Sequence, residues 1–339
     1  TDLRIFNKIL TLTLLIFFLT GCLPFASLPT PTLAPPPTET LVPNTSLPPV
    51  TATLPPTATA TPAPNISRVL IVSFDGLRPD AIEQANMVNV MSLMQIGAYT
   101  LTAQTIMPSI TLPAHSSMLV GTCPAKHIVR WNEYIPSNGY ALGTDLFDLA
   151  HAAGMRTVMA VGKEKLQQIT EPTSLDYFAF VDDTDKIEDP YSIAQLANRQ
   201  IANGFSLMFV HFPKGDLEGH DHGWMSRQQL EAYANDDVSF GYILETLKNQ
   251  AMYEGTLIII TSDHGGHDST HGIDIPEDMA IPWIVSGPGI LPMQLTTQVH
   301  TMDTAATAAF ALSLPVPAEW DGVPIYEAFG LPSVVSRGC

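Results

Sequence analysis

Four short, largely apolar runs recur along the chain, at 68–74, 157–161, 206–212 and 256–261, the first rich in β-branched residues, and a fifth lies at 280–286. Their lack of polar alternation predicts strands covered on both faces rather than strands with one wet face. Between them, 144–153 and 227–250 carry apolar positions at helical spacing and predict helices. Strands alternating with helices predict an α/β fold, a central and mostly parallel sheet flanked by helices. No internal repeat is visible, and the last few residues carry no pattern and are expected to fray.

Ahead of this region the pattern changes. Arg4 and Lys8 precede an apolar run at 9–19, too short to span a bilayer, and Leu19-Thr20-Gly21-Cys22 follows it. This is the layout of a secretion signal. The four residues ending at Cys22 resemble a bacterial lipobox, which implies cleavage before Cys22 and a lipid on its thiol, a membrane tether without a span. From 23 to about 65 the chain is almost wholly Pro, Thr, Ala, Leu and Ser, a composition with too few patterned apolar side chains to offset ordering entropy. Three regions are therefore expected: a lipoprotein signal peptide at 1–21, a disordered Pro/Thr-rich stalk at 22–66 and a globular domain at 67–339. The location implied is extracytoplasmic, at the cell surface or secreted.

Composition narrows the chemistry. Apolar residues make up 45% of the 339, enough for a sizeable core, while acids outnumber bases 33 to 15 for a formal charge of −18. That balance argues against a nucleic-acid duplex as partner, which needs clustered Lys and Arg. It suits a protein that holds divalent cations. Three cysteines are too few for a disulfide scaffold. Cys123 and Cys339 can pair in an oxidising compartment, although nothing in the sequence puts them together.

The placement of acids and histidines is the informative part. In open α/β sheets, sites form outside the carboxyl ends of the strands. Asp75 follows the first run, Asp216 and His220 follow the run at 206–212, and Asp263 and His264 follow the run at 256–261. One Asp after a strand is an ordinary cap or turn residue; three such endings, two of them Asp/His pairs, point to ligands for zinc or a similar ion. Asp216 and His220 share a face if the local backbone is helical. His267 and His271 follow within a Gly-rich stretch. Lys163, just after a strand, can meet an anion but reads first as a solvated loop lysine.

The segments Val72-Ser73-Phe74-Asp75-Gly76, Thr111-Leu112-Pro113-Ala114-His115, Asp216-Leu217-Glu218-Gly219-His220 and Thr261-Ser262-Asp263-His264-Gly265-Gly266 resemble, in order, those of the alkaline phosphatase superfamily, in its type I phosphodiesterase/nucleotide pyrophosphatase branch. The resemblance covers nearly all of 67–336 and implies an alkaline-phosphatase-like catalytic domain. It implies two divalent metal ions, zinc by expectation: Asp75, Asp263 and His264 with Thr111 at one, and Asp216, His220 and His271 at the other, His267 being a rival for the last place. It further implies Thr111 as nucleophile, passing through a phosphothreonine, and Asn132 as an amide donor to a phosphoryl oxygen. Ala114 stands where the branch usually has Asn, and Gly215 where it usually has Pro.

The expected function is therefore hydrolysis of a small phosphate ester or nucleotide. A phosphomonoesterase or phosphonate hydrolase of the same fold is the second reading, and a non-catalytic surface binding module the third. Phe74, Trp131, Tyr134 and Trp224 are the candidates for stacking against a base.

Overall fold

The computed structural model describes residues 66–181 and 191–339. The segments expected to be a signal peptide, a Cys22 tether and, apart from residue 66, a stalk at 22–66 lie outside the described residues. Among the described residues, eight strands form one sheet: β1 Arg68–Phe74, β2 Ala98–Gln104, β3 Thr157–Val161, β4 Tyr177–Phe180, β5 Leu207–Phe212, β6 Thr256–Thr261, β7 Ala280–Ser286 and β8 Met293–Gln294, in the spatial order β4-β3-β5-β1-β6-β7-β2-β8. The pairs from β4 through β6 are all parallel, and β7 runs against both of its neighbours.

The continuous apolar runs became strands because both faces of the sheet are covered. In β1, Val69 and Ile71 enter one core while Leu70, Val72 and Phe74 enter the other. Each side chain of this size, fully buried, contributes roughly 1.5–3 kcal/mol before the cost of ordering. The helices are α1 Ala81–Gln84, α2 Val88–Ile96, α3 Thr111–Val120, α4 Pro124–His127, α5 Leu146–Ala152, α6 Ser192–Ala202, α7 Lys214–His222, α8 Arg227–Asn249, α9 Pro276–Met279 and α10 Asp303–Ala311. Helices α3, α5 and α10 supply the first core; α1, α2, α6 and α8 supply the second. Among the described residues, no helix is long and apolar enough to cross a membrane.

The tail does not fray as expected. Ser336 is buried, donates from Oγ to Asp303 Oδ2 at 2.9 Å, and three residues later Cys339 forms a disulfide with Cys123. That pairing joins residues separated by 216 positions, which is why nothing local in the sequence announced it.

Candidate active site

Strands β5, β1 and β6 are hydrogen-bonded neighbours in register, with Phe74 opposite Phe212 and Ser73 opposite Thr261. The segments leaving their carboxyl ends therefore meet at one rim. Asp75 follows β1, Asp263 and His264 follow β6, and Pro213 leads from β5 into α7, which carries Asp216 and His220 one turn apart. All three aspartates are buried. His271 joins them from the segment before α9, its Nε2 3.4 Å from Asp216 Oδ1. His267 does not; its Nδ1 donates to the buried Asp278 carboxylate at 2.7 Å.

The tautomers of the three rim imidazoles follow from their hydrogen bonds. His220 donates from Nδ1 to Ser269 O (3.1 Å), His264 to Gly265 O (2.8 Å) and His271 to Ser109 O (2.8 Å). A carbonyl can only accept, so each Nδ1 carries a proton, and in the neutral ring Nε2 is the nitrogen that presents a lone pair. Those lone pairs converge. His220 Nε2 lies 3.2 Å from His271 Nε2 and 3.4 Å from Asp216 Oδ1, and His264 Nε2 lies 3.5 Å from Asp75 Oδ1 and 3.2 Å from Asp263 Oδ2.

Asp75 Oδ1, Asp216 Oδ1, Asp263 Oδ2 and His264 Nε2 are buried with no hydrogen-bond partner, a costly arrangement unless a cation completes it. Asp216, His220 and His271 form one set able to hold an ion, and Asp75, Asp216 and His264 another, each with its ligand atoms within 4.8 Å of one another. Asp216 belongs to both. Carboxylate and neutral imidazole together are the donor set of zinc and its neighbours.

Lys163 departs from the sequence reading. It is no solvated loop residue but is buried, its Nζ 2.7 Å from Asp75 Oδ2, 2.5 Å from Asp216 Oδ2 and 3.4 Å from Thr111 Oγ1. Burial alone would lower its pKa; the Asp216, Asp75 and Asp263 charges outweigh that and leave it raised, so the amine is an ammonium. Burial likewise acts to raise Asp75, but Lys163 and His211 hold it well below the usual carboxylate range. Asp263, buried beside the Asp75 charge, is pushed up to about 7. Desolvation lowers His264, and lowers His271 to about 4, which keeps both imidazoles neutral and able to bind metal.

Two further histidines lie beneath the rim. His211, in β5, donates from Nε2 to Asp75 Oδ2 at 2.8 Å and accepts from Gly162 N at 3.3 Å. His115 donates from Nδ1 to Thr111 O (2.9 Å) and accepts at Nε2 from Ser73 Oγ (2.8 Å). These bonds fix Asp75 and the backbone of Thr111. The clue to His211 was a lone imidazole inside an otherwise apolar buried strand, Leu207–Phe212.

Thr111 is buried at the first turn of α3, where the helix dipole favours negative charge. Asn132 Oδ1 accepts from Leu112 N at 2.9 Å, so its NH2 end is the one left for a ligand. Both line a cavity of about 450 Å³ together with Lys163, Asp216, His220 and His271. Of the four aromatics proposed for stacking, only Tyr134 lines this cavity; Phe180, not foreseen, is a second. Phe74 is wholly buried against Phe212 and Phe240. Trp131 donates to Gln168, and Trp224 donates to Gly76 O while its ring packs against His220 and His271.

Residues 69–285 match the family described as type I phosphodiesterase/nucleotide pyrophosphatase. An uncharacterized pyrophosphatase/phosphodiesterase of Schizosaccharomyces pombe is 26% identical over 218 residues, 59% of this chain and 44% of that protein. The chain spans less than half the length of the curated relatives it matches. Among solved structures, the inactive murine ectonucleotide pyrophosphatase/phosphodiesterase 5 in complex with AMP aligns with TM-score 0.61 at 14% identity, covering 74% of this chain and 96% of that one. A phosphonate monoester hydrolase from Silicibacter pomeroyi aligns with TM-score 0.62 at 14% identity, covering 80% and 78%. At these identities the two structures attest the fold.

Proposed function

This chain belongs to the type I phosphodiesterase/nucleotide pyrophosphatase family, and on that premise we propose that it hydrolyses phosphate esters, diesters and nucleotide pyrophosphates foremost, at a site for two divalent ions with Thr111 as nucleophile. The observation that carries the reading is the convergence of three Nε2 lone pairs and three buried carboxylates beside the Thr111 hydroxyl. Asp75, Asp263 and His264 would hold one ion and Asp216, His220 and His271 the other, zinc being the ion that the donors suit best. Bound there, such ions supply positive charge against the phosphoryl oxygens and lower the pKa of the Thr111 hydroxyl.

The chain's own residues do the rest. Thr111 Oγ gives up its proton to solvent and forms a bond to phosphorus as the bond to the leaving-group oxygen breaks, that oxygen leaving as an alkoxide or phosphate that takes a proton from water. Water then attacks the phosphothreonine, restoring the hydroxyl and releasing the phosphate product. The Asn132 amide N–H meets charge developing on a phosphoryl oxygen, a donor of a kind worth about 3 kcal/mol in comparable sites. His115 and His211 hold Thr111 and Asp75 in place. Tyr134 and Phe180 give the leaving group an aromatic wall, which supports a nucleotide.

We also propose an extracytoplasmic enzyme tethered through a lipid on Cys22. The lipobox-like tetrapeptide supports the tether, and the Cys123–Cys339 disulfide supports an oxidising compartment. Cys22→Ser should move the protein from the membrane to the soluble fraction.

The hydrolase reading is tested with bis-p-nitrophenyl phosphate, p-nitrophenyl phosphate and p-nitrophenyl sulfate, with and without chelator. Turnover of the phosphates, lost with chelator and restored by zinc, is expected, with the diester preferred. Thr111→Ala should keep its metal and lose turnover; activity surviving in that variant refutes the nucleophile assignment. No turnover of any ester with metals added would favour a binding module.

A further inference from the structure

His271 reaches the site from a segment with little regular structure of its own. Residues 262–275, between β6 and α9, contain no helix, and an isolated bridge pairs His267 with Thr270. The segment also passes through two left-handed residues, Asp268 at φ 44° and Gly272 at φ 111°. The other ligands stand on firmer ground. Asp75, Asp263 and His264 leave strand ends directly, and Asp216 and His220 ride on α7. The bond from His271 Nδ1 to Ser109 O sets the turn of the ring. How far its Nε2 reaches toward Asp216 and His220 depends on where the backbone of 267–273 sits.

One carboxylate holds that stretch on both sides of His271. Asp278, wholly buried in α9, accepts at Oδ1 from His267 Nδ1 at 2.7 Å and at Oδ2 from Ile273 N at 3.0 Å. The first bond lies before His271 in the chain and the second after it. A buried carboxylate needs such donors, so neither bond is easily given up. The base of the segment is closed at the same place: Gly265 N donates to Asp278 O and Gly266 N to Glu277 O, each at 2.8 Å. A Cβ on Gly265 would lie 2.0 Å from Glu277 O, so this close approach requires glycine.

We propose that Asp278 and His267 form a clamp that positions His271 and thereby sets the affinity of the ion it shares with Asp216 and His220. Neither residue touches the reacting atoms; both are positioning residues. The proposal rests on the two-ion reading above and gives His267, the rival for the ligand place of His271, a task of its own. Loss of a partner that orients a metal ligand lowers metal affinity by about 10–100-fold. Here the loss falls on one ion, because the ligands of the other are held by strand ends.

The test titrates zinc into the full chain against a chromophoric chelator, for wild type, His267→Leu, His267→Asn, His271→Ala and the double variant His267→Leu/His271→Ala. A thermal melt comes first; should His267→Leu fail to fold, Asp278→Asn, which keeps one acceptor oxygen, takes its place. His267→Leu should weaken one of two zinc ions about 10–100-fold and leave the other within about threefold. His271→Ala should weaken the same ion, and the double variant should be no weaker than His271→Ala alone. His267→Asn, whose amide N–H can stand in for the imidazole Nδ1–H, should recover most of the loss. In His267→Leu, kcat/KM for bis-p-nitrophenyl phosphate should fall at limiting zinc and return as zinc is raised. Equal weakening of both ions would overturn the proposal and leave the pair a general scaffold. Unchanged affinity, losses that add to those of His271→Ala, or no recovery with Asn would overturn it as well. If wild type binds a single zinc, the two-ion reading falls. The clamp then stands if His267→Leu and His271→Ala weaken that ion without adding, and falls if they add.

Discussion

Gly215→Ala perturbs the site through packing alone, with no ligand changed. Gly215 precedes Asp216 in α7, and a Cβ there would lie 1.8 Å from Tyr233 Cε1 and 2.3 Å from Cζ, where ordinary contact begins at 3.4 Å. Ring or helix must therefore yield by well over an ångström. Tyr233 has little freedom: it is wholly buried, and its hydroxyl donates to Asp75 O at 3.1 Å. Whichever side moves, the separation of Asp216 from Asp75 changes. Overpacking of this kind costs roughly 1–3 kcal/mol of stability. A misplacement of about 1 Å in a catalytic array costs about 10²-fold in rate. The assay is a urea midpoint together with kcat/KM for bis-p-nitrophenyl phosphate with zinc added. Tyr233→Leu in the same background, which removes the obstructing ring edge, should recover part of both losses, giving a coupling on the order of 0.5–3 kcal/mol. An unchanged midpoint with activity within about threefold of wild type would refute the claim that this close approach positions Asp216.

Three other outcomes are expected from the geometry. His211→Leu removes the imidazole that orients Asp75, and zinc affinity measured by competition with a chelator should fall about 10–100-fold; unchanged affinity would deny His211 that role. Cys339→Ser should lower stability by on the order of 2–5 kcal/mol in urea, and wild type with reductant should match it, whereas a midpoint indifferent to reductant would mean that the bond contributes nothing. Asp145, buried as the N-cap of α5 beside Asp148, is pushed up to about 7. Its folded pKa lies above the unfolded value, so its contribution is full at acid pH and is lost as pH rises through the folded value. Asp145→Asn should accordingly gain stability relative to wild type between about pH 4 and pH 7; parallel thermal melts across that range would contradict the assignment.

Legibility in the sequence tracked locality. The strands β1, β3, β5, β6 and β7 were readable because each is an unbroken apolar run buried on both sides. β2 was not, since Ala98–Gln104 mixes polar and apolar residues and alternates in burial, and β4 is four half-buried residues. The helix α3 was hidden by Pro113, tolerated in the first turn where no intrahelical N–H is needed. Asp75, Asp216, His220, Asp263 and His264 could be suggested because each closes or follows a recognisable strand. Lys163 could not be chosen over any other loop lysine, because its partners Asp75 and Asp216 are strangers in sequence. Gly215, noted only as an unusual neighbour for Asp216, acquires a reason once Tyr233 fills the space a side chain would need.

The adjacency of β5, β1 and β6 has a consequence for how such a site can diversify. Hydrogen-bonded strands keep about 4.8 Å between their axes, so the sheet acts as a ruler that sets the pitch of the anionic groups along the rim. Surrounding segments can be lengthened, shortened or exchanged to suit new leaving groups while that pitch stays constant. The backbone ladder, more than any single side chain, determines what size of charged centre fits between the strand tips.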